Sequence, residues 1–366
     1  MRLGGHNDRW ILSLATVCLV LGVLSGCATV GPSSISRGRA DYNEAINKTD
    51  DEQLLMTIVR GRYGETSRLL AVTSVAANVL FAANAGAEAR FGEEEFTEWS
   101  VVPFRGGVAY EENPTITYAP VQGEEYIREI LSPISLSLLI LAVRSSEQPG
   151  DFVTMLVRKI NDIRNPDFLK SPSEEPDPRL YRLAYLLNEF AEAGLSHWVK
   201  DPTEKEGFNL VIHEYAPEYS DEVREFINVL GLTTKVGESE DIVLPIKFAL
   251  KPMKGEDIAI ETRTTSDLIE ILRASVEVPE EHSLSGFAIH YPPTGLAGKG
   301  IRIQVAKKRP KMASVAVKYT DHWFYIDRTD QRTKRAFGTL RTLLDVIIAK
   351  EAEQQPVPLL TVPVSR

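Results

Sequence analysis

Ser314-Val315-Ala316-Val317-Lys318-Tyr319-Thr320-Asp321-His322-Trp323-Phe324-Tyr325-Ile326-Asp327 is the stretch that decides the fold class. Its two halves, Ser314–Tyr319 and Trp323–Asp327, are rich in β-branched and aromatic residues and read as strands. On the second, Trp323 and Tyr325 alternate with Phe324 and Ile326. Apolar residues on both faces fit a central strand covered on both sides. The spacing of Phe337, Leu340, Leu344 and Ile348 that follows predicts a helix over Asp330–Ala352 with one buried stripe, capped by Asp327 or Thr329.

Working outward, further strand-like segments fall at Phe208–Tyr215, Ile242–Leu250, Ile258–Thr262, Gly286–Tyr291 and Ile301–Lys307. Helical spacing is found at Ser220–Leu230 and Ser266–Val276. Neighbouring strands with helices at their ends indicate α+β rather than a regular βαβ alternation. The expected arrangement is a mixed helical and strand N-terminal region, then a C-terminal antiparallel or mixed sheet with flanking helices.

The first half is more helical. Thr49-Asp50-Asp51-Glu52 has the form of a capping box, and Leu54, Leu55, Ile58 and Val59 follow at helical spacing up to Gly61 or Gly64. Leu69–Ala87 is 19 residues without a charge. Its asparagines and many alanines favour a core strand or helix over a membrane helix, so whether it contacts a membrane stays open. Strands are expected near Phe96–Phe104 and Pro114–Ala119, and helices from Glu124 through Ile163 and over Arg179–Lys200. Four prolines between Asn165 and Pro178 read as a linker or long loop. The boundaries follow as residues 41–200 for an N-terminal, largely helical domain, 205–352 for a C-terminal α+β domain and 353–366 for a proline-containing tail.

Composition narrows the function classes. The chain has 366 residues, 43% hydrophobic, and a net charge of −10 from 41 Lys+Arg and 51 Asp+Glu. That is a folded protein with an acidic balance, which argues against general nucleic-acid binding. Two cysteines outside any CxxC pair exclude a disulfide scaffold and the usual zinc modules.

Residues 1–26 read as a signal peptide, with Arg2 and Arg9 ahead of the uncharged run Trp10–Leu24. The run ends in Leu24-Ser25-Gly26-Cys27, which resembles a bacterial lipobox. That resemblance implies cleavage before Cys27, a diacylglycerol on its thiol and an N-acyl chain of the palmitate class. One acyl chain binds a membrane only marginally, whereas several anchor it stably. Ala28 in place of an aspartate points to the outer membrane, with the body facing the periplasm. Residues 27–40, with Gly31, Pro32 and three serines, are expected to form a flexible tether. Cys18 lies in the leader, so no thiol of the mature chain is left for catalysis or metal binding.

Candidate chemistry elsewhere is sparse. Neither a GxSxG elbow, a Walker A loop nor an HExxH helix occurs, and Gly295–Gly300 reads as a turn between strands. The histidines past the leader are His197, His213, His282, His290 and His322. Glu280-Glu281-His282 offers a carboxylate–imidazole pair or a solvated helix exit, and His290 and His322 lie in or beside strands that can approach each other. No catalytic, cofactor or metal site is assigned from these patterns. Lys307-Lys308-Arg309-Pro310-Lys311 reads as a solvated hairpin end, or else as a contact for lipid phosphate, cell wall or an acidic partner.

Several segments resemble a family of bacterial outer-membrane lipoproteins to which no activity is attached. They are Asp41-Tyr42-Asn43, Glu52-Gln53-Leu54-Leu55, Arg60-Gly61-Arg62-Tyr63-Gly64-Glu65, Asn113-Pro114-Thr115-Ile116-Thr117-Tyr118, Val276-Glu277-Val278-Pro279-Glu280-Glu281-His282 and Trp323–Asp327. The family more often has leucine where this chain has Gly61. The resemblance implies an anchored protein and supplies no catalytic residue. The expected function is a non-enzymatic envelope interaction or scaffold protein whose partners are the outer membrane, envelope proteins or the cell wall, without nucleic acid. One alternative is an oligomeric export or pore component in which Leu69–Ala87 and Phe96–Ala119 become membrane strands, as in curli-export lipoproteins. A second is a periplasmic hydrolase using His282 and a nearby acid.

Overall fold

A computed structural model describes residues 30–66, 70–76, 79–87, 104–112, 115–120, 123–204, 207–213, 217–236, 241–249, 255–354 and 360–363. The leader and Cys27 lie outside these residues, as does most of Phe96–Phe104.

In chain order the elements are α1 (Val30–Arg62), β1 (Leu70–Ala76), β2 (Val79–Ala87), β3 (Phe104–Glu112), β4 (Thr115–Pro120), α2 (Glu124–Leu131), α3 (Leu136–Arg144) and α4 (Pro149–Leu156). Then come β5 (Val157–Ile160), β6 (Ile163–Arg164), α5 (Pro178–Glu192), β7 (Ser196–Lys200), β8 (Phe208–Ile212), α6 (Ser220–Val229), β9 (Ile242–Phe248) and β10 (Ile258–Thr262). The chain continues through α7 (Thr265–Ala274), α8 (Glu280–Leu284), β11 (Gln304–Ala306), β12 (Ala313–Tyr319), β13 (His322–Asp327), α9 (Gln331–Gln354) and β14 (Leu360–Pro363). The fold is α+β.

Two compact units divide between Gln53 and Leu54. In the first, α1 already runs from Val30, where a flexible tether over 27–40 was expected. Pro32 sits in the helix's first turn, where its missing N–H costs nothing. Thr49 does not begin a helix either. It is an interior residue whose hydroxyl donates back to the Ile46 carbonyl at 2.9 Å. No residue between Ala40 and Gln53 is buried.

The second unit holds the core. From Leu54 onward α1 turns an apolar stripe inward, with Leu55, Ile58 and Val59 at most 1% exposed. Each such side chain contributes about 1.5–3 kcal/mol when fully buried. The main sheet has the order β6-β5-β10-β9-β8-β7, antiparallel except for the parallel pair β9–β10. Strands from before and after residue 200 share this sheet, so the expected boundary at 200–205 falls inside one structural layer.

Three strands stand where helix was expected. Phe152, Met155, Ile160 and Ile163 were read as one helical pattern, but helix α4 stops at Leu156 and β5 and β6 follow through a turn at Asn161 (φ 51°). Val157, Ile160 and Ile163 suit a strand, and β10 supplies the pairing. Ser196–Lys200 is likewise strand β7, released from α5 at Gly194 (φ 68°). The proline stretch 165–178 is a packed loop. Arg263, 1% exposed, donates to the carbonyls of Asn165 and Pro166 at 3.0 and 3.1 Å. Burial pulls that guanidinium down to about 10 and still leaves it charged at neutral pH.

A second sheet, β11-β13-β12, is antiparallel with β13 in the centre. The central position agrees with the sequence reading, but the two faces differ. His322, Phe324 and Ile326 are buried, whereas Trp323, Tyr325 and Asp327 are half-buried. Since β11 and β12 flank β13, Lys307–Lys311 bridges two outer strands and is not a hairpin end. Asp330 caps α9, accepting from the Thr333 amide at 2.9 Å, in the role expected of Asp327 or Thr329. Gly286–Tyr291 forms no strand. The expected tail 353–366 begins inside α9, and β14 pairs with β4.

Within the stretch Leu69–Ala87, residues 70–76 and 79–87 are strand, β1 and β2. β1 pairs with β4 and β2 with β3, antiparallel in both cases and in separate sheets. The expected strand at Pro114–Ala119 is β4, while β3 was not foreseen, because Gly106-Gly107 reads as a break. Among the described residues no helix is long and apolar enough to cross a membrane.

Candidate functional site

Four segments, drawn from three regions far apart in sequence, meet at one edge of the β12–β13 hairpin. The first is the C-terminal end of α1. Gly64, at φ 76°, lets the chain turn, and the Gly64 amide donates to the Gly61 carbonyl at 3.1 Å. The turn leaves Tyr63 buried, 7% exposed, with Glu65 two residues on.

The second segment is α8, a single turn after Pro279 that carries Glu281 and His282. The amides of His282 and Ser283 both donate to the Pro279 carbonyl at 3.0 Å. The third is the stretch after α8, held by the Phe287 amide donating to the His282 carbonyl at 3.0 Å and the Ile289 amide donating to the Arg62 carbonyl at 2.9 Å. The fourth is the two-residue turn Thr320-Asp321. It joins Tyr319 to His322, which stand opposite each other in the ladder and so share a face.

At the centre the Tyr63 hydroxyl and His282 Nδ1 are hydrogen-bonded at 2.9 Å. The rings of His282 and His322 meet edge to face at 5.2 Å. His322 Nε2 lies 3.4 Å from Glu281 Oε1. Tyr63 also packs on Tyr319 at 4.8 Å and on Phe287 at 5.1 Å. The Tyr319 hydroxyl donates to Glu65 at 2.7 Å.

Burial grades across this group. His322 is 6% exposed, and its Nδ1 is buried without a partner among the described residues. Glu281 is exposed and His282 half-buried, so the cluster opens to solvent on the α8 side. Burial pushes the Tyr63 phenol up to about 12, with Arg62 opposing it. Burial, then the bond to Glu65, pushes Tyr319 up as well. Both stay neutral donors at any physiological pH.

The sequence reading offered Glu280-Glu281-His282 as a carboxylate–imidazole pair or a solvated helix exit, and His290 and His322 as able to approach each other. Instead Tyr63 takes His282, Glu281 faces His322, and His290 is exposed and outside the cluster. Tyr63, Glu65 and Tyr319 were not singled out for chemistry, since nothing local marks a tyrosine at a helix exit. Three of the segments that carry the lipoprotein resemblance, 60–65, 276–282 and 323–327, nevertheless end in or beside this cluster. Chemically the group offers ligand atoms from Glu281, His282 and His322 all within 4.8 Å of one another.

A second histidine pair, His197 and His213, stands with ring centroids 4.7 Å apart, and His213 Nδ1 lies 3.3 Å from Asp241 Oδ2. Both of its imidazoles are exposed. In the basic loop the Arg309 guanidinium covers the Trp323 ring at 5.2 Å, which leaves that tryptophan face occupied by a cation.

No family model, curated protein or solved structure matches this chain.

Proposed function

We propose that this chain is a lipid-anchored outer-membrane lipoprotein facing the periplasm, acting through contacts with envelope proteins or the cell wall and not through catalysis. The observation that carries the reading is Leu24-Ser25-Gly26-Cys27, three residues ahead of a helix that buries nothing between Ala40 and Gln53. A lipid-anchored body needs a solvated spacer, and residues 40–53 supply one. Mass spectrometry of the N-terminal peptide from membranes tests the anchor. The reading expects a chain starting at triacylated Cys27 and loss of membrane association in Cys27→Ala. An unmodified Cys27 in the membrane fraction contradicts it. For the scaffold role, crosslinking in intact cells should recover a stoichiometric envelope partner.

The paired strands favour one second reading, an oligomeric export or pore component. β2 against β3 makes a two-stranded antiparallel ribbon, about 30 Å long at ~3.3 Å per residue. A membrane strand needs only about 9–11 residues. In the β2–β3 register Phe81, Ala83, Ala85 and Ala87 stand opposite Tyr110, Val108, Gly106 and Phe104, residues that are small, apolar or aromatic. A lone ribbon has open edges and cannot sit in lipid, so this reading requires several copies closed into a barrel. Native mass measurement of the acylated protein in detergent decides it. A ring of copies is expected, and a monomer excludes the pore.

A further inference from the structure

We propose that Glu281, His282 and His322 bind one divalent transition-metal ion of the zinc class. The site goes beyond the anchoring reading and does not depend on it. Two imidazoles and a carboxylate are a ligand set that zinc takes in open, three-ligand sites. The geometry agrees with that set. Two ligands each about 2.0–2.1 Å from a tetrahedral ion stand about 3.3–3.4 Å apart. His322 Nε2 and Glu281 Oε1 are separated by 3.4 Å. The full set of ligand atoms lies within 4.8 Å, so a small movement of the exposed Glu281 and half-buried His282 closes the shell.

The protonation of His322 gives an independent reason. With its proton on Nε2, the lone pair of Nδ1 is buried without a donor. With the proton on Nδ1, the Nε2 lone pair faces a carboxylate, which is a repulsive contact. A cation between Nε2 and Glu281 turns that repulsion into coordination, with the proton on Nδ1, which has no acceptor among the described residues. Metal-bound histidines are oriented by a hydrogen bond at the other ring nitrogen, and Tyr63 provides that bond to His282 Nδ1. The Tyr63 oxygen can accept from Nδ1–H and leave Nε2 of His282 for the metal.

The test uses the purified full chain in detergent, stripped with a chelator, and Zn²⁺ titrated in competition with a chromophoric chelator. One equivalent should bind. His282→Ala should weaken binding at least about 100-fold, beyond the ~10–100-fold typical of an outer-shell change. Glu281→Gln, at an exposed position that leaves the fold intact, should weaken it by about 10-fold or more. His213→Ala, in the exposed pair, should change nothing. The proposal fails if no stoichiometric binding is seen, if Glu281→Gln and His282→Ala both bind as the parent does, or if the loss follows His213→Ala instead. Should His282→Ala misfold by circular dichroism, Glu281→Gln and His213→Ala still decide the matter.

Discussion

Two histidine pairs of this chain are equally close and differently built. His197 and His213 lie on the exposed margin of the six-stranded sheet, rings 4.7 Å apart, with Asp241 alongside. His282 and His322, rings 5.2 Å apart, stand between a helix end, a one-turn helix and a hairpin turn. The exposed pair has solvent on most sides, and the group that bonds His213, Asp241 at 3.3 Å, is itself exposed. In the other pair Tyr63 bonds one imidazole and the fold buries the second. Proximity of imidazoles is thus a weak criterion for a site. Orientation by a second group, with desolvation, is a stronger one.

Substitutions break the comparison most strongly at His322. His322→Ala removes a buried ring and should cost about 2–4 kcal/mol in chemical denaturation. His213→Ala should stay within about 0.5 kcal/mol, as surface changes do. Equal effects at the two positions would mean that burial does not distinguish the pairs.

Tyr63→Phe is the next largest. It deletes only the bond to His282 and should cost about 1 kcal/mol. The same phenol links stability to alkaline pH. Its folded pKa lies near 12, above the ordinary value of 10, so the folded state holds the proton more tightly than the unfolded one. That stability is fully present below pH 10 and is lost as pH rises toward about 12. Tyr291, raised to about 12 by burial and by its bond to Glu270, acts in the same direction. Urea midpoints measured from pH 9 to 12 should therefore fall, and fall less steeply in Tyr63→Phe.

The smallest effect is expected in the turn that delivers His322. Thr320 holds φ at 50°, a conformation unfavourable for a β-branched residue. Thr320→Gly should stabilise the protein by about 0.5–1 kcal/mol if relief of strain exceeds the added freedom of the unfolded chain. A lower melting temperature for this variant would mean that the turn is unstrained.

What the sequence made legible follows the range of the interactions involved. Ile258–Thr262 was read with its final boundaries, and Thr264 begins α7 with a reciprocal Thr264–Asp267 cap. Those signals are local. Ser196–Lys200 was taken for helix because the stripe Leu180, Leu183, Leu187 and Phe190 runs toward it, and only pairing with β8 makes it a strand. Strand β3 was hidden because its glycines resemble a turn until β2 lies opposite them. For the site, Glu281 and His282 were visible as a pair of adjacent groups. Their partners were not, since Tyr63 and His282 are 219 positions apart and no short-range pattern encodes such a contact. The proposed anchor rests on the contiguous stretch Leu24–Cys27, read by residue type alone and outside the described residues.

X-ray absorption at the zinc edge, on the full chain loaded with one equivalent of Zn²⁺, tests the assembled cluster most directly. The expected spectrum has a four-coordinate shell of nitrogen and oxygen at about 2.0–2.1 Å, with outer-shell scattering from two imidazoles. It should lose one imidazole in His282→Ala and neither in His213→Ala. A six-oxygen shell without imidazole scattering, or two imidazoles that persist in His282→Ala, would contradict it.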